Sequence, residues 1–302
     1  MKARAVWMIP VAVVLLGGPA QVQTPSPSAA TTFVGTTPCD EAIRAFIGGM
    51  AAGECRYIKW QLNLGVTERN ALGWDLDAIY GVPEGGSIPG RSLDGPHASI
   101  RGRLEKTATT YRLISDAGRS ISFRQISSGL IHPLDDKNTL MLGTSAGSYT
   151  LARADMTDDP GQPEQMHGPD YALSPRETGN TVFGIFGGRT PCMGLARAMR
   201  IALTDGCQRV KWRITLLQKA GTSEPTTYKI EGSLHHSARV GAWHIVRGTT
   251  SDPDAVVYQL DGTAGQGPML LWRADDVVFL LDERKQPLVG TIAFSYTLSR
   301  EK

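Results

Sequence analysis

Residues 186–218 read FGGRTPCMGLARAMRIALTDGCQRVKWRITLLQ, and this stretch decides the fold of the 302-residue chain. It places Thr-Pro-Cys, an apolar helix-like segment, a second cysteine and a Lys-Trp strand in that order. Residues 33–64, FVGTTPCDEAIRAFIGGMAAGECRYIKWQLNL, repeat the same order. The four cysteines of the chain lie at matching places in these two stretches. The chain therefore contains an internal duplication, which has to be recognised before elements are assigned.

The duplication extends to the ends of the two copies. Residues 148–153 read SYTLAR and residues 295–300 read SYTLSR, while IRGRL at 100–104 corresponds to IEGSL at 230–234. We assign residues 33–153 to the first repeat and residues 181–302 to the second. Each repeat has a common size for an independent domain, so the period indicates two copies of a whole domain.

The segment between the cysteines of each copy is predicted to be a short helix. Apolar residues recur at helical spacing, and Asp40 is placed to cap the first helix. Gly53 and Gly206 fit the left-handed exit of a helix. The residues that carry the helical spacing are Ala42, Ile43, Phe46, Ile47 and Met50 in the first copy, and Leu195, Ala196, Met199, Ala202 and Leu203 in the second.

The rest of each copy is predicted to be β. Residues 58–64 and 210–216 alternate apolar and polar side chains, which is typical of a strand that lies over a core. Short runs separated by Gly, Asp and Pro predict an antiparallel barrel or sandwich. The further predicted strands are residues 111–115, 120–126, 139–142, 148–153, 226–234, 242–247, 255–260, 269–273, 277–281 and 291–299.

Four segments lie outside this pattern. Residues 1–23 have a basic start, a short apolar core and small residues for cleavage, which indicates a secretory signal with no stable membrane anchor after cleavage. Residues 24–32 are rich in Pro, Ser and Thr and are expected to be a disordered tether. Residues 154–180 are expected to be a polar linker. Residues 65–96 carry several glycines and prolines and are interpreted as a long hairpin or a flap.

Four cysteines in an exported chain indicate two disulfides. Three pairings are possible, and pairing within each copy, Cys39–Cys55 and Cys192–Cys207, is the most economical. The chain then has to double back after each helix, because bridged Cα atoms lie within ~7 Å of each other. A thiolate metal site is the alternative, and the spacing of each pair disfavours it because it is not C-x-x-C.

The composition restricts the function. A net charge of +2 gives no electrostatic support to nucleic-acid binding. The sequence contains neither a nucleophile elbow nor a phosphate-binding glycine loop. The acidic pairs 135–136, 275–276 and 282–283 are interpreted as solvated turns. His235, His236 and His244 are candidate copper or zinc ligands, with exposed hairpin histidines as the alternative.

The tryptophans line a cavity or fill the core; these are Trp60, Trp74, Trp212, Trp243 and Trp272.

The motifs of each copy resemble the N-terminal domain of the NlpE-like copper-resistance and envelope-stress lipoproteins. In the second copy the matching pieces are TPC at 190–192, ITL at 214–216, GAW at 241–243, LLD at 280–282 and YTLSR at 296–300. The first copy matches at 38–39 and 149–153 and lacks the LLD piece. The chain differs from the family pattern in two ways. A helix separates the paired cysteines, and no lipidated cysteine follows the signal.

The resemblance implies two tandem lipocalin-like antiparallel barrels and no enzymatic activity. We therefore expect a periplasmic or secreted protein that acts in copper or metal tolerance or in envelope stress sensing. It would do so by binding an envelope protein or a small ligand, with no cofactor other than possible copper. Two alternatives stay open: a secreted interaction or inhibitor module, and a hydrolase that uses residues 65–96 as a lid.

Overall fold

The computed structural model describes residues 30–51, 53–66, 72–83, 93–157, 179–200, 207, 209–232, 239–262 and 266–301. Within these ranges the strands form two closed antiparallel barrels of eight strands each, as the duplication predicted. The first barrel consists of Thr31–Pro38 (β1), Tyr57–Val66 (β2), Leu72–Gly81 (β3), His97–Lys106 (β4), Thr110–Ser115 (β5), Ser120–Ser127 (β6), Leu130–Pro133 (β7) and Leu151–Arg153 (β8).

The second barrel repeats the order of the first. Pairing of β1 with β8 closes the first barrel, and pairing of the last strand with the first closes the second. Its strands are Asn180–Pro191 (β9), Arg209–Lys219 (β10), Pro225–Gly232 (β11), Arg239–Arg247 (β12), Val256–Leu260 (β13), Met269–Ala274 (β14), Val277–Leu281 (β15) and Thr297–Arg300 (β16).

The apolar alternation places side chains inside the barrels. In β2 and β10 the apolar positions are buried and the intervening ones face outward. The interiors are occupied by aromatic rings: Trp60 lies 6.1 Å from Phe123 in the first barrel, and Trp243 lies 5.4 Å from Tyr258 in the second. Of the two roles considered for the tryptophans, filling the core is the one observed for these residues. Trp74 and Trp212 are also buried, and Trp272 is partly buried.

One side-chain hydrogen bond recurs in both barrels. The Trp60 indole nitrogen donates to the Thr37 hydroxyl at 2.9 Å, and that of Trp212 donates to Thr190 at 2.7 Å. Each pair joins the end of the first strand of a barrel to the second strand. Because a buried indole N–H is costly without a partner, this bond explains why Thr-Pro-Cys and Lys-Trp occur together in both copies.

A short helix follows the first strand of each barrel, at Glu41–Ile47 (α1) and Met193–Met199 (α2). Asp40 caps α1 as expected, since its Oδ1 accepts from the backbone nitrogen of Ile43 at 3.0 Å. The predicted helix ends were wrong. Helix α1 ends at Gly48 (φ 80°), five residues before Gly53, and α2 ends at Arg200 in the left-handed region. Gly206 lies outside the described residues.

Each disulfide closes its own repeat. Cys39 and Cys55 have Cα atoms 5.7 Å apart, and Cys192 and Cys207 have Cα atoms 5.9 Å apart. These are the pairs expected from the duplication. Among the described residues no free cysteine remains, so neither a thiolate metal site nor thiol chemistry has a candidate residue there. No described helix has the length and apolarity that a membrane-spanning helix requires.

Three predicted segments need comment. For residues 65–96 the sequence left a long hairpin or a flap open, and residues 72–81 form β3, which pairs antiparallel with β2 and β4 as a hairpin strand would. These residues are therefore barrel wall rather than lid, while 84–92 lie outside the described residues. The strands predicted at 139–142 and 291–299 are mostly loops, because the chain there turns to close each barrel. Residues 139–142 contain a single β-bridge, at Leu140, and only the last three residues of 291–299 belong to a strand.

The two barrels pack against each other through an interbarrel seam. Its apolar part consists of Ile126, Leu130, Leu134, Leu140 and Ala152 from the first barrel with Val277 and Phe279 from the second. At its centre the hydroxyls of Thr150 and Thr297 lie 2.9 Å apart, and these two residues occupy the same place in the SYTL segments. Contact between equivalent residues indicates an approximate twofold axis between the repeats.

Candidate functional site

A cleft with a volume of about 500 Å³ lies along the interbarrel seam. We call it the acidic cleft. The start of α1, the loop between β7 and β8, and the turn between β14 and β15 line it. Its charged residues are five aspartates and one arginine, namely Asp40, Asp135, Asp136, Asp275, Asp276 and Arg273. The pairs 135–136 and 275–276, read as separate solvated turns in the sequence, therefore face one cleft.

Asp135 fixes the shape of the loop between β7 and β8. Its carboxylate accepts from the backbone nitrogens of Lys137 and Thr139 and from the Thr139 hydroxyl, at 3.0, 2.8 and 2.7 Å. Slight burial acts to raise the pKa of Asp135, but the hydrogen bonds from Thr139 and Lys137 outweigh it and lower the pKa. Asn138 adopts a positive φ of 61°, which asparagine tolerates in such a turn.

The second repeat has the same loop. Asp282 Oδ1 accepts from the backbone nitrogens of Arg284 and Gln286 at 2.9 and 2.8 Å, and Lys285 adopts a φ of 60°. The first repeat lacks the LLD piece in sequence, but its loop has the same geometry. Leu134 and Asp135 carry the corresponding loop, with proline in place of the first leucine.

Asp275 joins the two barrels at the edge of the acidic cleft. Its Oδ2 accepts from the backbone nitrogen of Leu140 and from Arg124, both at 3.0 Å and both in the first barrel. Asp40 is likewise engaged, because its Oδ2 accepts from the Tyr149 hydroxyl at 2.7 Å. Three of the five aspartates therefore hold the cleft together and have few free lone pairs for a partner.

Asp136 and Asp276 remain available. Asp136 is exposed, and its carboxylate has no hydrogen-bond or ion-pair partner in the part of the chain that the structure describes. Asp276 has one 3.4 Å contact with Arg300, and its side chain is 53% exposed. Both carboxylates are exposed beside apolar residues that line the cleft, namely Leu140, Met141 and Leu142. They can accept hydrogen bonds from a cationic group that enters the cleft.

The approximate twofold axis relates the acidic cleft to a second cleft of about 290 Å³. There Asp282, Glu283, Leu288 and Val289 take the places of Asp135, Asp136, Met141 and Leu142. The charges balance, with two acidic and two basic residues, the latter being Arg197 and Arg284. Glu283 is paired with Arg200 at 2.8 Å. The acidic character is thus confined to one of two related clefts.

A buried histidine lies at the seam behind the acidic cleft. The Nδ1 of His132 is 2.9 Å from the Thr150 hydroxyl, and its Nε2 is 2.8 Å from the carbonyl oxygen of Met141. Burial lowers the pKa of His132 to about 4, against a smaller opposite effect of the Met141 carbonyl. The ring is neutral near pH 7 and both nitrogens are bonded, so His132 has a structural role.

The histidines proposed as metal ligands are not brought together in the described residues. His244 Nε2 lies 3.1 Å from Asp261 Oδ2 on an exposed part of β12. His235 and His236 lie outside the described residues. No group of three potential metal ligands occurs within the described ranges. Metal binding by these histidines therefore stays a prediction.

The sequence shows the aspartates that line the acidic cleft, but it does not show that they come together. Asp275 contacts Leu140 across 135 positions of the chain. No periodicity links positions so far apart, because the contact depends on how two finished barrels dock. The repeat does give one signal: LDD at 134–136 and LDE at 281–283 align, which marks the loop as part of both copies.

No family model matches this chain, and no curated protein matches it. Among solved structures, it is similar to the crystal structure of the Cpx pathway activator NlpE from Escherichia coli. The two are 11% identical, the match covers 81% of this chain and 96% of that chain, and the TM-score is 0.23. A similarity at this level assigns no activity to the present chain.

Proposed function

We propose that this protein is an exported, non-enzymatic binding protein that presents the acidic cleft to a cationic segment of a partner protein. The observation that carries the proposal is the gathering of five aspartates from both barrels around one cleft of about 500 Å³. The related cleft has balanced charge, so the acidity distinguishes one of the two related clefts from the other.

The packing of the barrels supports a binding surface rather than a ligand cavity inside a barrel. The described interior positions are filled by buried aliphatic and aromatic side chains in both barrels. The two barrels form the walls of the cleft and are linked by hydrogen bonds as well as apolar contacts. Such a preformed surface loses little conformational entropy when a partner binds.

The setting we propose is the cell envelope or the extracellular space. Two disulfides are typical of proteins that mature in an oxidising compartment. The motif resemblance of the second repeat supports a role in envelope stress sensing or metal tolerance. The hydrolase alternative is less well supported, because β3 is part of the barrel wall and the buried His132 has no free ring nitrogen.

Fluorescence anisotropy with a short labelled peptide of alternating lysine and alanine tests the proposal. We expect saturable binding that weakens as salt is added, because the Debye length falls to about 10 Å at 0.1 M ionic strength. A peptide with glutamate in place of lysine is expected not to bind. Asp136→Asn should weaken binding about two- to fivefold, the range for one exposed ion pair.

Glu283→Gln is the matched control, because it removes the same charge at the equivalent position of the second cleft. It is expected to leave peptide affinity unchanged. Equal effects of the two substitutions would mean that the peptide responds to net charge and not to the acidic cleft. In that case the proposed site is wrong, whatever the natural partner is.

A further inference from the structure

A small polar cavity lies at the interbarrel seam, separate from the acidic cleft. Its volume is about 10 Å³, which suits a single atom-sized guest. Thr36, Ser148 and Thr150 line it from the first repeat. Arg189 and Ser295 line it from the second, together with Thr291 and Phe294. Both repeats therefore build the cavity.

Two donors at this cavity are buried without a partner. The Nε of Arg189 and the hydroxyl of Ser295 have no contact with solvent and no hydrogen-bond acceptor within the described residues. Ser295 as a whole is 8% exposed. Other hydroxyls around the cavity are engaged, as when Thr36 donates to the carbonyl of Ile292 at 2.9 Å. Buried donors are rarely left unpaired in proteins, so both donors need a bound molecule or ion that accepts a hydrogen bond.

A second guanidinium lies close by. Arg209 is 6.0 Å from the centre of the Phe294 ring, and its pKa is lowered by burial and by the positive charge of Arg189. Across the described ranges, neither arginine has a carboxylate within ion-pair distance. Two half-buried cations that repel each other are unfavourable unless a negative charge joins them.

The duplication shows that these charges belong to one repeat. Aligned on Thr-Pro-Cys, Arg189 corresponds to Thr36; aligned on Lys-Trp, Arg209 corresponds to Tyr57. Both first-repeat residues are uncharged. The barrel fold thus needs no positive charge at these positions, and the pair in the second repeat requires a separate explanation.

We propose that the cavity binds one halide-sized monovalent anion, with chloride as its occupant. The Nε of Arg189 and the hydroxyl of Ser295 donate to the anion, and Arg209 supplies a second positive charge from behind Phe294. The cavity size excludes sulfate and phosphate, whose four oxygens need more room than one atom. Since residues of both repeats surround it, the bound anion stabilises the docked arrangement of the barrels.

The test is a chloride titration of the full chain, in which sodium chloride replaces sodium gluconate at constant ionic strength. We expect the melting temperature to rise saturably with chloride and with bromide, and not with sulfate. Broadening of the ³⁵Cl resonance should follow the same binding curve. Arg189→Thr, which installs the first-repeat residue, should weaken chloride binding at least about tenfold, because a buried charge-assisted hydrogen bond is lost.

Arg101→Thr is the control, since it removes one positive charge from a side chain that is 84% exposed and distant in sequence. It should leave the chloride affinity unchanged. Ser295→Ala provides a second reading if Arg189→Thr does not fold. Equal melting temperatures in chloride and gluconate, or an unchanged ³⁵Cl signal in these variants, would show that water fills the cavity and would overturn the proposal.

Discussion

Acidification is expected to destabilise this protein through one residue, His132. Its Nε2 faces a carbonyl oxygen, which only accepts, so Nε2 carries the hydrogen and Nδ1 accepts from Thr150. One donating and one accepting nitrogen are what the neutral imidazole ring provides, so these two bonds stabilise the neutral form of His132. The ring is 1% exposed and packs edge-on against Phe279 at 6.0 Å, so protonation would place a charge in the seam.

The magnitude follows from the pKa of His132, which burial lowers from 6.5 to about 4. The unfolded chain therefore binds a proton at a higher pH than the folded protein does. Stability is retained above pH 6.5 and decreases as the pH falls from 6.5 towards 4. Between pH 7.5 and pH 5 the loss from this residue is about 2 kcal/mol in the free energy of unfolding.

Urea unfolding of the oxidised protein at pH 7.5 and pH 5 measures this loss. His132→Gln is the informative variant, because the amide donates to the Met141 carbonyl, its oxygen accepts from Thr150, and it does not titrate. We expect the wild type to lose about 2 kcal/mol more than this variant between the two pH values. His244→Gln, at an exposed site, should behave as the wild type does. An equal loss in wild type and His132→Gln would refute the reasoning.

Three further predictions follow from the fold and the candidate sites. Thr150→Val removes the bonds of this hydroxyl to Thr297 and to His132 at the centre of the seam and should reduce the free energy of unfolding by about 1–3 kcal/mol in the same urea assay. Gly102→Ala should cost about 1–3 kcal/mol, because the new Cβ would lie 2.0 Å from a backbone oxygen. Gly53→Ala, with nothing within 4 Å, should change stability by less than about 0.5 kcal/mol. Calorimetric titration with Cu²⁺ tests the metal prediction: affinity tighter than about 10 μM that is lost in His244→Ala supports it, and weaker binding removes it.

The sequence predicted the barrels well because their determinants are local or repeated. Alternation fixes which face of a strand is buried, and the duplication allows each copy to support the assignment of the other. Segment 65–96, for which a hairpin and a flap both stayed open, shows the limit. Its glycines and prolines did not decide between the two, whereas Trp74, Leu76 and Ala78 alternate with exposed aspartates inside it, as expected for a wall strand.

The site was less predictable because it arises from docking. Asp136 and Asp276 are ordinary turn residues within their own repeats, and they face one cleft only because the seam joins the barrels at one relative orientation. Likewise, the unpaired donors at the small cavity become evident only when both repeats surround it. The two copies together carry the most informative sequence signal. Residues present in both repeats are those that the barrel fold requires, and residues present in one repeat alone are candidates for a function of that repeat.

The most direct measurement is the assignment of the amide resonances perturbed when the lysine–alanine peptide is titrated into the labelled full chain. We predict that residues 135–142 of the first barrel and 273–276 of the second shift together, along one binding curve. The related loop at 282–289 should shift little. Shifts confined to one barrel, or equal shifts in both clefts, would contradict the claim that the docked pair of repeats forms one acidic binding site.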